Sequence, residues 1–153
     1  MIANNLIEET SDNCRDIKQF NLDIVYLKMS NEWSKNSHCK RNQVGCLIVK
    51  NKTIISDGYN GTPKGFSNCC EDENNNTLPY VLHAEANAIT KLAMNTVDST
   101  NSTMYVTLSP CYDCAKLIIQ AGIKRVVFSD LYRKTDALEL LTKAGIELVY
   151  INI

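Results

Sequence analysis

The chain has 153 residues, with 16 basic and 17 acidic side chains, a net charge of −1 and 44% hydrophobic residues. That length suits one domain burying about two thirds of its unfolded surface, and the balanced charge argues against the basic stripe of a nucleic-acid binder. Seven cysteines, an odd number, with no long apolar run and no cleavable signal, predict a reduced cytoplasmic setting without disulfides.

In chain order, residues 1–14 are polar and Asn-rich, with a short apolar cluster at Leu6 and Ile7. Residues 1–20 are expected to form a tail or loosely docked segment, and residues 21–153 a single domain. Over residues 21–34, Leu22, Val25, Tyr26, Met29 and Trp33 recur three and four apart, which predicts a helix with Met29 and Trp33 in the core. Residues 44–49 are too apolar and too short for anything but a buried strand. Residues 50–52 turn the chain into an antiparallel partner at 53–57. The next eight residues hold three glycines and Pro63, a loop shaped by backbone demands. Residues 66–77 are polar and acidic, and are expected to be a surface loop near the mouth of a site and the segment most prone to disorder.

A helix is predicted to open at His83-Ala84-Glu85 and run to about Met94, followed by a strand at 103–107 and a second helix to Ala121, capped by Gly122. A strand at 125–128, a helix at 136–144 capped by Gly145 and a strand at 147–150 complete the chain. Ala121-Gly122-Ile123 and Ala144-Gly145-Ile146 read as one cap chemistry used twice, not as a duplicated domain. About five strands and four helices result. Successive strand-helix-strand units favour parallel pairing with helices on both faces, an α/β architecture.

His83, Cys111 and Cys114 are one imidazole and two thiolates, a ligand set that suits zinc and leaves one tetrahedral position open for water. Glu85 is close enough to reach that water, which makes it the general acid/base candidate. Ser109 is expected to cap the second helix, with Pro110 at its first position and both cysteines in its first turn, where the helix dipole favours thiolates. A lone Cys-x-x-Cys is otherwise a redox motif or half of a structural zinc site, but a structural site wants four ligands and no second Cys-x-x-Cys exists. His-x-Glu followed by Pro-Cys-x-x-Cys is the pattern of zinc-dependent nucleobase deaminases.

The chain resembles the deoxycytidylate deaminases over about residues 22–149. The likeness is carried by Gln43-Val44-Gly45, Gly58-Tyr59-Asn60-Gly61-Thr62-Pro63, the segment from His83 to Ile89, the segment from Tyr105 to Cys111, Cys114-Ala115-Lys116 and Tyr132. The resemblance implies a three-layer αβα sandwich with a five-stranded mixed sheet, cytidine-deaminase-like. It also implies zinc-dependent hydrolysis of dCMP to dUMP and ammonia, supplying dUMP for thymidylate synthesis. A homo-oligomer, commonly a hexamer, with dCTP and dTTP as effectors and Mg accompanying the triphosphate, would follow, with no nucleic-acid or membrane partner. By the same likeness, backbone groups of Ala84 and Ser109 read the base, Asn60 contacts the sugar and Tyr132 lies beside the base. Arg41 and Ser37 are the candidates for the phosphate, against a solvated basic loop. Some phage relatives hold a second zinc at positions matching Cys39 and Cys69, so Cys39, Cys69 and Cys70 form a second candidate metal group. This chain, with two histidines, lacks the further ligands of those proteins. The alternatives are another nucleotide or base deaminase, such as a tRNA adenosine deaminase, and a noncatalytic zinc or nucleotide-binding module. Near-neutral charge argues against the first and Glu85 against the second.

Overall fold

The computed structural model describes residues 2–153, with side chains from Cys14 onward. Nine elements follow in order: α1 (Ile2–Ser34), β1 (Gly45–Lys50), β2 (Thr53–Tyr59), α2 (Ala84–Leu92), β3 (Thr103–Leu108), α3 (Tyr112–Gln120), β4 (Arg125–Asp130), α4 (Asp136–Lys143) and β5 (Glu147–Tyr150). The strands form one sheet in the order β2-β1-β3-β4-β5. β1 runs antiparallel to both β2 and β3, while β3, β4 and β5 are parallel. The sheet is therefore mixed, as the resemblance implied. The β1–β2 hairpin closes at Asn51 and Lys52, which both take positive φ (51° and 60°), the geometry that matches the twist of the flanking strands.

Alternate side chains of the central strands enter two cores. Cys46, Ile48, Met104, Val106, Val126 and Phe128 pack beneath α2, α3 and α4. Leu47, Val49, Tyr105 and Val127 face α1 on the other side. Period-two alternation on strands buried from both sides gives near-continuous apolar sequence, which is why β1 reads as an unbroken hydrophobic run.

α1 departs from expectation in two ways. It begins at Ile2, so the segment expected as a tail is helical, although Cys14 to Asn21 are exposed; side chains of residues 1–13 lie outside those described. Its buried face is Asp23, Leu27, Ser30 and Ser34, and Met29 and Trp33 are 42% and 39% exposed rather than core. The reason is close approach. A Cβ at Gly45 would fall on the Ser30 carbonyl oxygen, so only small residues fit where the helix crosses β1. Ser30 Oγ also bonds the Tyr105 carbonyl oxygen at 3.2 Å, while Trp33 Nε1 donates to Asp57 at 2.9 Å from the helix flank.

The one carboxylate on that buried face is fully matched. Asp23 accepts two hydrogen bonds from Arg125 (2.8 and 2.7 Å), one from Tyr105 Oη (2.7 Å) and one from Gln19 (2.9 Å). Burial alone would raise its carboxyl pKa, but the bonds from Arg125, Tyr105 and Gln19 outweigh it and hold the group below its ordinary 3.8. A depressed folded-state pKa gives stability that is complete above the unfolded value and lost as pH falls through the folded one. Asp23→Ala should cost about 3–5 kcal/mol, because it leaves the half-buried Arg125 with only the exposed Glu147 and Tyr105 Oη without its acceptor. Urea midpoints measured from pH 7 to pH 2 should show the loss, and the variant's stability should decline less steeply below pH 4 than the wild type's.

Candidate functional site

Two helix starts meet at one end of the sheet. His83 is the N-cap of α2 and Cys111 the N-cap of α3, both with extended backbone (φ −75°, ψ 158°; φ −77°, ψ 171°). The second differs from expectation: Pro110 precedes the cap, Cys111 occupies it and only Cys114 lies within the first turns of the helix. Ser109, expected as the cap, instead uses its Oγ to accept the Tyr132 N–H at 2.7 Å, and its own N–H donates to Asp130 O at 2.8 Å. α2 is pressed against β2, since a Cβ at Gly58 would fall on the Ala84 carbonyl oxygen. Ser56 Oγ to Ala88 O (2.6 Å) and Asn87 Nδ2 to Tyr59 O (2.7 Å) lock that contact.

His83 Nδ1 lies 3.3 Å from Cys111 Sγ and 3.5 Å from Cys114 Sγ, and the three donor atoms all fall within 4.8 Å of one another. Tetrahedral zinc with usual N and S bond lengths separates such donors by about 3.6 Å, so the set fits the ion. The Cys111 thiol is pulled down to about 4, chiefly by the hydrogen bond from Cys114, while that sharing and burial push Cys114 strongly upward. The two sulfurs thus share a proton that a metal would displace. Glu85 is 4% exposed, and burial pushes its carboxyl up to about 6, offset in part by its own backbone N–H and the charge of His83. A carboxylate so placed exchanges a proton near neutral pH.

A cavity of about 490 Å³ opens over this group. Arg41, Asn60, Ala84, Ser109 and Tyr132 line it. The Asn60 amide is engaged, accepting the Val44 N–H (2.8 Å) and donating to Asn42 O (2.7 Å). Ser37 is not brought to the cavity. Its Oγ donates to Asn60 O at 2.7 Å and accepts the Cys39 N–H at 3.2 Å, so it organises the loop behind the wall.

The loop after β2 is not disordered as anticipated. Gly61 pairs with Leu82 and Glu71 with Thr77, and Asp72 accepts the N–H groups of Asn74 and Asn76. Some partners of these polar groups lie within the loop and others outside it, as Lys40 and Arg41 do for Glu71, a pattern that composition does not register. Cys39 and Cys70 are covalently paired, which corrects the expectation of reduced thiols throughout. They were foreseen as neighbours and as metal ligands; bonded to one another, neither sulfur is free to ligate. Cys69 turns away, toward Glu71 O at 3.2 Å. Among the described residues the only clustered ligand group is His83, Cys111 and Cys114.

Glu71, Thr77 and Arg133 also line the cavity and had no signal in the sequence. Glu71, 8% exposed, accepts the N–H groups of Lys40 (2.9 Å) and Arg41 (3.2 Å). Arg41 Nη1 reaches Thr77 Oγ1 at 3.3 Å.

A family model for the cytidine and deoxycytidylate deaminase zinc-binding region matches residues 21–130. The chain is 35% identical over 134 residues to the deoxycytidylate deaminase of Saccharomyces cerevisiae, covering 81% of this chain and 43% of that protein. It is 43% identical over 112 residues to the human deoxycytidylate deaminase, covering 67% and 62%. The chain thus spans about half the length of these curated relatives. Among solved structures, the dCMP deaminase of cyanophage S-TIM5 in complex with dCMP and dUMP superposes with a TM-score of 0.84 at 43% identity, over 86% of this chain and 97% of that one.

Purified protein should carry zinc, and Cys114→Ser should lose it while wild-type far-UV circular dichroism is retained at 25 °C. Elemental analysis of both proteins after dialysis tests the assignment; unchanged zinc in the variant would remove Cys114 from the site.

Proposed function

Because the chain belongs to the cytidine and deoxycytidylate deaminase family, we propose that it hydrolyses dCMP to dUMP and ammonia. The observation that carries this reading is the buried Glu85 beside the His83, Cys111 and Cys114 donors, on the wall of a cavity of about 490 Å³, within the size range of small-molecule sites. Those three residues would hold zinc, which when bound would act as a Lewis acid and lower the pKa of a water toward about 7. Glu85 takes a proton from the attacking water as its oxygen bonds carbon 4, and passes that proton to the adjacent ring nitrogen; it then takes the second proton, from the new hydroxyl, and gives it to the amine, which leaves as ammonia as the carbon–nitrogen bond breaks and the carbonyl forms. Burial suits it to both directions of transfer, since its carboxyl titrates at about 6.

The base is read by backbone. The Ser109 N–H is taken by Asp130, so what Ser109 offers is its carbonyl, an acceptor for the exocyclic amine. The Ala84 N–H, at the positive end of α2, suits the base carbonyl. Tyr132 lies beside the ring. Each polar atom of the Asn60 amide has capacity for one more bond, enough for a sugar hydroxyl. Arg41 takes the 5′-phosphate, with Ser37 acting through the loop it braces.

We assign four finer properties to the family pattern. Self-association, as a hexamer, is supported by Val25, Met29 and Trp33 at i, i+4 and i+8 on the exposed side of α1, and sedimentation measures it. The effectors would be dCTP and dTTP with Mg. No helix among the described residues is long and apolar enough to cross a membrane, and the cytoplasm is where such a substrate occurs. A second zinc at Cys39, Cys69 and Cys70 requires reduction of the Cys39–Cys70 bond. Two zincs per chain in reduced protein, falling to one in Cys39→Ser, would establish it, and one in both would dismiss it.

Ammonia release from dCMP, deoxycytidine and dCTP tests the main reading, with dCMP expected to react fastest and turnover of none of them sinking it. Glu85→Gln should keep zinc yet lose about a hundredfold to ten-thousandfold in kcat. Wild-type rates in the zinc-loaded variant would remove Glu85 from the chemistry.

A further inference from the structure

Two guanidinium groups line the cavity, Arg41 and Arg133, and among the described residues neither is in an ion pair. Arg41 has a single side-chain bond, to the neutral Thr77. Arg133 has only the face of Tyr132, with its guanidinium carbon 5.7 Å from the ring centroid. Every other arginine whose side-chain contacts are described, Arg125, is matched to two carboxylates. Like charges facing one concave space repel in the free protein, and an anion between them relieves that cost.

The topology brings both to one place. β1 is antiparallel to β3, and β4 is parallel to it, so the start of β1 and the ends of β3 and β4 lie at the same edge of the sheet. In the order β2-β1-β3-β4-β5, the loop before β1 and the loop after β4 flank the end of β3, whose continuation carries Ser109 and Cys111. Arg41 stands on one flank, and Arg133 on the other. Arg41 is braced, because Glu71 holds its backbone N–H and Thr77 its side chain. Arg133 is anchored only at its neighbour, where Ser109 Oγ fixes the Tyr132 N–H.

We propose that Arg133 is a second phosphate-binding residue, closing on the 5′-phosphate of the substrate opposite the braced Arg41. This rests on the deoxycytidylate reading and names a determinant of its monophosphate specificity. The stack on Tyr132 stores the guanidinium over the ring that lies beside the base, so binding of a nucleotide brings its anion within reach of a cation already at the rim. Two charge-assisted contacts from opposite walls fix the phosphate in position as well as attracting it, whereas a nucleoside engages neither.

The test is steady-state kinetics of zinc-loaded wild type, Arg133→Ala and Arg133→Glu with dCMP and with deoxycytidine. Arg133 is exposed, so both variants should fold. The ratio of kcat/KM for dCMP to that for deoxycytidine should fall about tenfold to a hundredfold in Arg133→Ala, mainly through KM for dCMP, and further in Arg133→Glu. A wild-type ratio in both variants overturns the proposal, and so does a parallel loss on both substrates, which would place Arg133 on the base or in the fold. A wild-type enzyme with no preference for dCMP over deoxycytidine would instead overturn the reading of the substrate.

Discussion

The structure is governed by the need to start two helices at the same point. His83 and Cys111 are each the last extended residue before a helix, so their donors point out of the helix ends and toward one another. Two positive helix ends facing one another would repel if nothing negative lay between them, and the Cys111 thiolate supplies that charge. The approach demands small residues. Ala84, Ala86 and Ala88 on α2, Ala115 on α3 and Gly58 on β2 give the backbones room to touch. Cys114 and Glu85 then fall one turn or less inside, where burial rather than a partner sets the proton affinity of the carboxylate.

The opposite face of the sheet holds this arrangement in register. Leu108 pairs with Asp130, so the ends of β3 and β4 are level, and the loops leaving them carry Ser109 and Tyr132 into hydrogen-bonding contact. What keeps the two strands level is partly α1, whose Asp23 binds Tyr105 of β3 and Arg125 of β4 at once. A carboxylate satisfied by a tyrosine and a bidentate arginine tolerates no slip of one strand against the other, because any slip leaves a buried charge unmatched. Ser30 and Gly45 permit the helix to sit close enough for this.

The mouth of the cavity is built differently, from loops tied by polar side chains. Asn60 pins residues 42–44, Glu71 pins Lys40 and Arg41, and the Cys39–Cys70 bond joins the two segments between those points. Each tie places Arg41 more narrowly. The metal end of the cavity is held by helix geometry and the open end by this net, so the two ends respond to different changes: core packing for one, loop chemistry for the other.

The His83, Cys111 and Cys114 group, the carboxylate of Glu85 beside it and the order of helices and strands were legible in the sequence itself, because each depends on residue type and short spacing: two thiols three apart, a histidine and carboxylate two apart, periods of two and of three to four. Which face of α1 is buried was not, since Met29 and Trp33 satisfy helical periodicity as well as Leu27 does; the decision came from backbone clearance at Gly45, a property of the packed pair. Nor did composition reveal that the acidic loop after β2 is ordered, that Cys39 bonds Cys70 or that Ser37 serves the loop instead of the cavity. Those outcomes rest on partners about 20 to 30 residues away, which chain closure alone brings together. Arg133 illustrates the same limit: its meaning lies in an empty space shared with Arg41, 92 positions earlier, and only the tertiary structure creates that space.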